Sequence, residues 1–126
     1  MKGALNENDV KELVIDALDD LKAFDVVCID VGEKTQITDF MIVASGTSNR
    51  HVKSIAANVV SEAKEEGLEL IGIEGLDQGE WVLIDLNAVI VHVMQPQVRE
   101  FYDIESLWNF SVEQKRQKEI DEENAD

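Results

Sequence analysis

At 126 residues and 44% hydrophobic content the chain is sized for one domain with a real core, and no run is long and apolar enough to span a bilayer. Eleven basic residues against 27 acidic ones give a net charge of −16, which opposes binding to bare nucleic acid and makes a basic partner the natural one. Acidity that serves only solubility is the plainer explanation of the same number.

Met1 to Val10 carries neither the apolar core of a signal peptide nor the arginines of a transit peptide, so the expected compartment is the cytoplasm. Val10, Leu13, Val14, Ala17, Leu18 and Leu21 then recur at helical spacing, with Asp9, Glu12, Asp16 and Asp20 on the opposite side and Asn6 or Asn8 as the cap. Asp25 to Val31 has strand character. The single cysteine, Cys28, lies inside it; it excludes an internal disulfide and is expected to be a buried packing residue. Gly32 to Thr38 is a polar connection to a second strand, Asp39 to Ser45, too apolar throughout to have a solvated face.

Gly46-Thr47-Ser48-Asn49-Arg50 ends that strand and opens a regular helix whose apolar stripe is Val52, Ile55, Ala56, Val59, Val60 and Ala63, with Gly67 placed to stop it. Leu68 to Glu74 is expected as a third strand, pairing in parallel across the helical crossover, and Gly75 to Glu80 as a loop. Trp81 to Met94 is β-branched and apolar except at Asp85 to Ala88, which makes it a hairpin. Its second arm is apolar on both faces, Val89, Val91 and Val93 on one and Ile90, His92 and Met94 on the other, as a central strand requires. In the first arm Trp81, Leu83 and Asp85 share a face. Gln95-Pro96 starts a further helix with Val98, Phe101 and Tyr102 as its apolar side, and Ile104 to Trp108 adds another turn or two. From Ser111 to Asp126 too little apolar surface remains to offset ordering, so residues 111–126 are expected as an acidic tail, frayed or disordered, behind a single folded domain at 1–110.

The fold class that follows is α/β: one domain with a mixed, five-stranded sheet flanked by helices. Candidate chemistry is sparse. Gly46-Thr47-Ser48 at a helix start can hold an anion or simply cap the helix, and it lacks the lysine of a phosphate-binding loop. A strand followed by Gly-Thr-Ser also resembles nucleotidyltransferases, but no Asp-x-Asp or Asp-x-Glu follows to hold their metal ions. His51 and His92 do not make a metal site by spacing, and His92, mid-strand, is expected as a satisfied core or interface histidine. Asp30, Asp39 and Asp85 can converge, yet no matched nucleophile or base accompanies them. Trp81 follows an acidic loop with Glu74, Asp77 and Glu80, where an indole serves equally as core or as recognition anchor.

The succession Ile37-Thr38-Asp39-Phe40-Met41-Ile42, Gly46-Thr47-Ser48-Asn49-Arg50-His51-Val52, Glu74-Gly75, Trp81, Asp85, Val89-Ile90-Val91-His92-Val93, Arg99-Glu100-Phe101-Tyr102 and Leu107-Trp108 resembles the ribosomal silencing factor family, also called Iojap or RsfS. It covers Leu5 to Trp108. The resemblance implies a nucleotidyltransferase-like topology without catalytic carboxylates, and a translation repressor that is not an enzyme and needs no cofactor or metal. Such a protein binds the large ribosomal subunit through a basic ribosomal protein of its intersubunit face, the fourteenth in bacterial numbering, blocks joining of the small subunit, acts in starvation or stationary phase and also in subunit maturation. It implies no membrane and no sequence-specific nucleic acid as partner, and leaves room for a homodimer in the free state. Partner contact is carried onto Glu74, Gly75, Trp81, Asp85, His92 and Tyr102, with Trp81 offering an apolar anchor and one N–H donor, and Glu74 a carboxylate for an arginine or lysine. Two other readings stand beside it, a metal-dependent nucleotidyltransferase-like enzyme and a purely structural homodimer. The chain departs from the family at Asn87-Ala88, where Gly-Asp is usual; Ala88 would be strained in a left-handed turn. The acidic tail is a second departure.

Overall fold

The computed structural model describes residues 5–108, so the tail at 111–126 and the domain limit at 110 lie outside the described residues. Helix α1, Glu7–Asp20, starts at Asn6, whose Oδ1 accepts from the Asp9 N–H at 2.8 Å while the Asp9 carboxylate accepts from the Asn6 N–H at 3.2 Å. That reciprocal pair satisfies two donors that the first turn leaves free. Strands β1, Phe24–Asp30, and β2, Phe40–Ser45, pair antiparallel. Helix α2, Asn49–Glu65, begins at Ser48, whose hydroxyl accepts from the His51 N–H at 3.1 Å. Strands β3, Gly72–Glu74, β4, Trp81–Asp85, and β5, Val89–Met94, follow, then helix α3, Pro96–Tyr102, and one more helical segment at 104–108.

The five strands form one mixed sheet in the order β1-β2-β5-β4-β3. The expected parallel pair exists, but it joins β2 to β5 rather than β2 to the next strand in the chain. The reason is in β5 itself: five of its six residues are buried, so it takes a central position between β2 and β4, and β3 is left at the edge beside β4. The third strand is also shorter than the Leu68 to Glu74 expected. Gly67 takes a φ of +80° and Leu68 donates its N–H to the Ala63 carbonyl, so the chain first closes the end of α2 and joins the sheet only where the Ile71 N–H reaches the Asp85 carbonyl.

The sheet has two unlike faces. On one, Ile42, Ala44, Val82, Ile84, Val89, Val91 and Val93 pack under Val10, Val14 and Leu18 of α1 and Val52, Ile55 and Val59 of α2. On the other, Ile29, Val31, Met41, Val43 and Met94 form a smaller cluster under Val98, Ile104, Trp108 and Trp81. Cys28 corrects an expectation. It opposes Ile42 on the helix-covered side, but β1 is one of the two edge strands, and both Cys28 and nearby Val26 are exposed. Its thiol is still raised above the ordinary value, mainly by partial desolvation, with Lys11 opposing and Asp30 and Glu12 adding.

At the hairpin turn only Asn87 is left-handed, with φ of +72°, and its N–H is held by the Asp85 carboxylate at 2.9 Å. Ala88 keeps a negative φ, because Asn87 supplies the one left-handed position before the Leu86 N–H reaches the Val89 carbonyl at 3.0 Å. The exchange of Gly-Asp for Asn-Ala is therefore accommodated without strain at the alanine.

Candidate functional site

The first arm of the hairpin places Trp81 at the start of β4 on the sparsely covered face, opposite Met94 and diagonal to His92. The indole Nε1–H donates to His92 Nδ1 at 2.9 Å, with the rings tilted and 5.8 Å apart. An indole nitrogen can only donate, so Nδ1 is the bare acceptor and the imidazole proton sits on Nε2. His92 is 7% exposed, and burial pushes its pKa down from 6.5 to about 4. It is the satisfied histidine that its mid-strand position suggested. The N–H that Trp81 was expected to offer a partner is taken inside the fold.

Helix α3 brings Tyr102 to 5.0 Å from Trp81 between ring centroids, and Phe101 to 5.0 Å from Tyr102 edge-on. The sequence suggested that Val98, Phe101 and Tyr102 form a packing face. Only Val98 reaches the core; Phe101 is 80% and Tyr102 56% exposed. Two exposed aromatics beside a half-buried indole form an open groove of about 420 Å³, lined further by Gly75, Gln78, Glu80, Gln97 and Val98. Gly75 has a φ of +85°, and a Cβ there would stand 2.0 Å from the Trp81 carbonyl oxygen, so no other residue lets the loop turn this close to the strand.

Two polar clamps hold the walls, and sequence reasoning missed both. Arg99 grips Glu105 with two bonds, Nε to Oε1 at 2.5 Å and NH2 to Oε2 at 2.9 Å, while NH1 donates to Ser45 Oγ at 2.8 Å. This ties α3 to the end of β2 across the left-handed Asp103, φ +45°. Gln95 donates its side-chain amide to Asn49 Oδ1 and to the Gly79 carbonyl, and its N–H to the Glu80 carbonyl at 3.0 Å, fixing the acidic loop against the start of α2. The only sequence signal was Arg99 beside Phe101-Tyr102; Glu105 is six residues on, but Ser45 and Asn49 lie about fifty residues away.

Of the six expected contact residues, Gly75, Trp81, His92 and Tyr102 come together. Glu74 lies next to them, exposed at the end of β3 and paired with Leu83. Asp85 is set apart at the other end of β4, half-exposed on the same face, with one carboxylate oxygen occupied by the turn. Glu80 lines the groove, and Glu74 and Asp77, both exposed, are the chain neighbours of its lining residues Gly75 and Gln78.

The Gly46-Thr47-Ser48 start of α2 is occupied by capping. Besides the Ser48 bond, the Thr47 N–H donates to His51 Nδ1 at 2.9 Å, and His51 Nε2 lies 2.7 Å from the Leu21 carbonyl, which joins the two helices. Asp30 Oδ1 likewise accepts from the Gly32 N–H at 3.1 Å. Among the described residues no three His, Cys, Asp or Glu side chains gather as metal ligands would.

Comparison with known proteins gives one answer. The family model "Ribosomal silencing factor during starvation" matches residues 4–126. A Chromobacterium violaceum ribosomal silencing factor is 47% identical over 100 residues, covering 79% of this chain and 82% of that protein, and one from Haemophilus influenzae is 44% identical over 97 residues, covering 77% and 95%. A mouse protein named for mitochondrial assembly of the ribosomal large subunit is 30% identical over 100 residues, covering 77% of this chain and 44% of its own length. A crystal structure of a Chromobacterium violaceum protein superposes with a TM-score of 0.82 at 45% identity, covering 83% of this chain and 88% of that one. With this sheet order, this helix arrangement and these matches along nearly its whole length, the chain belongs to the ribosomal silencing factor family.

Proposed function

We propose that this chain represses translation in the cytoplasm by occupying the large ribosomal subunit. In this reading it docks on a basic ribosomal protein of the intersubunit face and thereby blocks joining of the small subunit, with a second use during subunit maturation. One observation carries the reading: the Trp81–Tyr102 aromatic groove, lined by Glu80 and entered by a loop that also exposes Glu74 and Asp77, on the sheet face that α1 and α2 do not cover. Aromatic anchors beside exposed carboxylates suit a basic protein surface, and the net charge of −16 steers toward such a surface while resisting the phosphate of exposed RNA. The names of the relatives point to the ribosome, and that of the mouse protein to assembly of the large subunit.

The test is sedimentation of the purified chain with separated subunits, followed by a joining assay. Co-sedimentation with large subunits alone, together with loss of joined ribosomes as the chain is added, is the expected result. Binding to small subunits, or normal joining at saturating chain, would sink the proposal.

A further inference from the structure

His92 lies at the site and yet is too buried to present a contact of its own to a partner. The residue is 7% exposed, opposite Leu83 on one side and Val43 on the other. What it does is accept the Trp81 Nε1–H at 2.9 Å from across the strand pair. Tyr102 meets the indole from α3, so Trp81 is held at its polar edge by β5 and packed by α3.

We propose that His92 is a positioning residue: its Nδ1 lone pair fixes the Trp81 indole, so that the partner meets the carbon surface of the ring and never its N–H. This rests on the partner reading above and adds a statement about partner chemistry. The group that covers Trp81 is apolar or cationic, stacking on the indole, and is not a hydrogen-bond acceptor. An indole without its acceptor would carry a half-buried, unpaired N–H and would sample other rotamers, losing affinity through disorder in the free protein. Burial keeps the Nδ1 lone pair free of a proton throughout the neutral range, which the arrangement needs.

The test uses the full chain, isolated large ribosomal subunits as the binding probe, and the indole N–H signals in a proton–nitrogen correlation spectrum. Trp81→Phe identifies which of the two indole signals belongs to Trp81. That signal is expected downfield and slow to exchange. His92→Phe removes the acceptor; it should move the signal upfield, speed its exchange and weaken binding roughly three- to tenfold. His92→Asn, which puts an amide oxygen near the position of Nδ1, should restore most of both, whereas His92→Gln, whose amide falls near Nε2, should not. If His92→Phe fails to fold, the Asn and Gln pair decides alone. In the Trp81→Phe background the His92 substitutions should add no further loss. An indole signal unmoved by loss of the acceptor, equal affinities for the Asn and Gln variants, or losses that multiply in the double variants would each overturn the assignment. Failure of the unaltered chain to bind large subunits would instead refute the partner reading, and the indole signal would still report on the bond itself.

Discussion

The two faces of the sheet are made of the same strands, yet one is apolar throughout and roofed by α1 and α2, while the other combines a small cluster with Trp81, His92, Asp85 and exposed aromatics from α3. Helix α1 spans 14 residues and α2 17, enough to lay continuous stripes over β2, β5 and β4. Helix α3 has seven residues, none of them buried, and leaves the β4–β3 side of its face open. Burial of apolar area supplies stability in proportion to what is covered, so the roofed face holds the fold together and the open one is free to carry recognition.

The contrast breaks if a deletion under α1 and α2 affects binding more than stability. Ile84 is fully buried there, and Ile84→Ala should cost about 2–5 kcal/mol of unfolding free energy. Chemical denaturation reads this, and the fraction still folded should bind large subunits with unchanged affinity.

On the open face the balance should reverse. Trp81→Ala removes the anchor of the groove and should weaken binding by about 30-fold or more, on the order of 2 kcal/mol. Because Trp81 is only half-buried, the melting temperature should fall far less than for Ile84→Ala. A collapse of the fold with retained affinity in the surviving fraction would make Trp81 a core residue.

Acidity sharpens the comparison by a different route. With His92 held at about 4 against an ordinary 6.5, the unfolded chain takes up a proton below pH 6.5 that the folded chain refuses. Stability is therefore complete above that value and falls as the pH drops toward 4, by about 2 kcal/mol at pH 5. Unfolding free energies at pH 7.5 and 5 should differ by that much less in His92→Asn; an identical pH dependence would remove His92 from the account.

Smaller effects test the margins of the open face. Asn87→Ala forces a left-handed alanine and should cost about 1 kcal/mol, whereas Asn87→Gly should be neutral or stabilising. Thermal melts distinguish the two. Glu74→Gln removes one exposed charge from the rim and should weaken binding only about twofold to threefold at low salt, and not measurably at high salt. A salt-independent loss would mean that Glu74 acts by shape rather than charge.

Both long helices, the hairpin and the two-sided apolar character of β5 were legible in the residues, because periodicity reports directly on which side of an element meets the core. Caps at Asn6 or Asn8 and within Gly46-Thr47-Ser48 were legible for the same local reason, and the structure selects Asn6 and Ser48. The family, too, could be recognised from motif order along the chain, and four of the six expected contact residues do stand together. What the sequence could not supply was which strand lies beside which. The strand order put β1, and with it Cys28, at an exposed edge, and closure of α2 by the Leu68 N–H on Ala63 shortened the third strand to Gly72–Glu74. Nor could spacing reveal that Phe101 and Tyr102 face outward, that Arg99 reaches Ser45 and Glu105, or that the Trp81 N–H is satisfied by His92. Those facts depend on how one strand pair and one short helix pack, which sets the side-chain directions and brings these donors and acceptors within hydrogen-bonding distance.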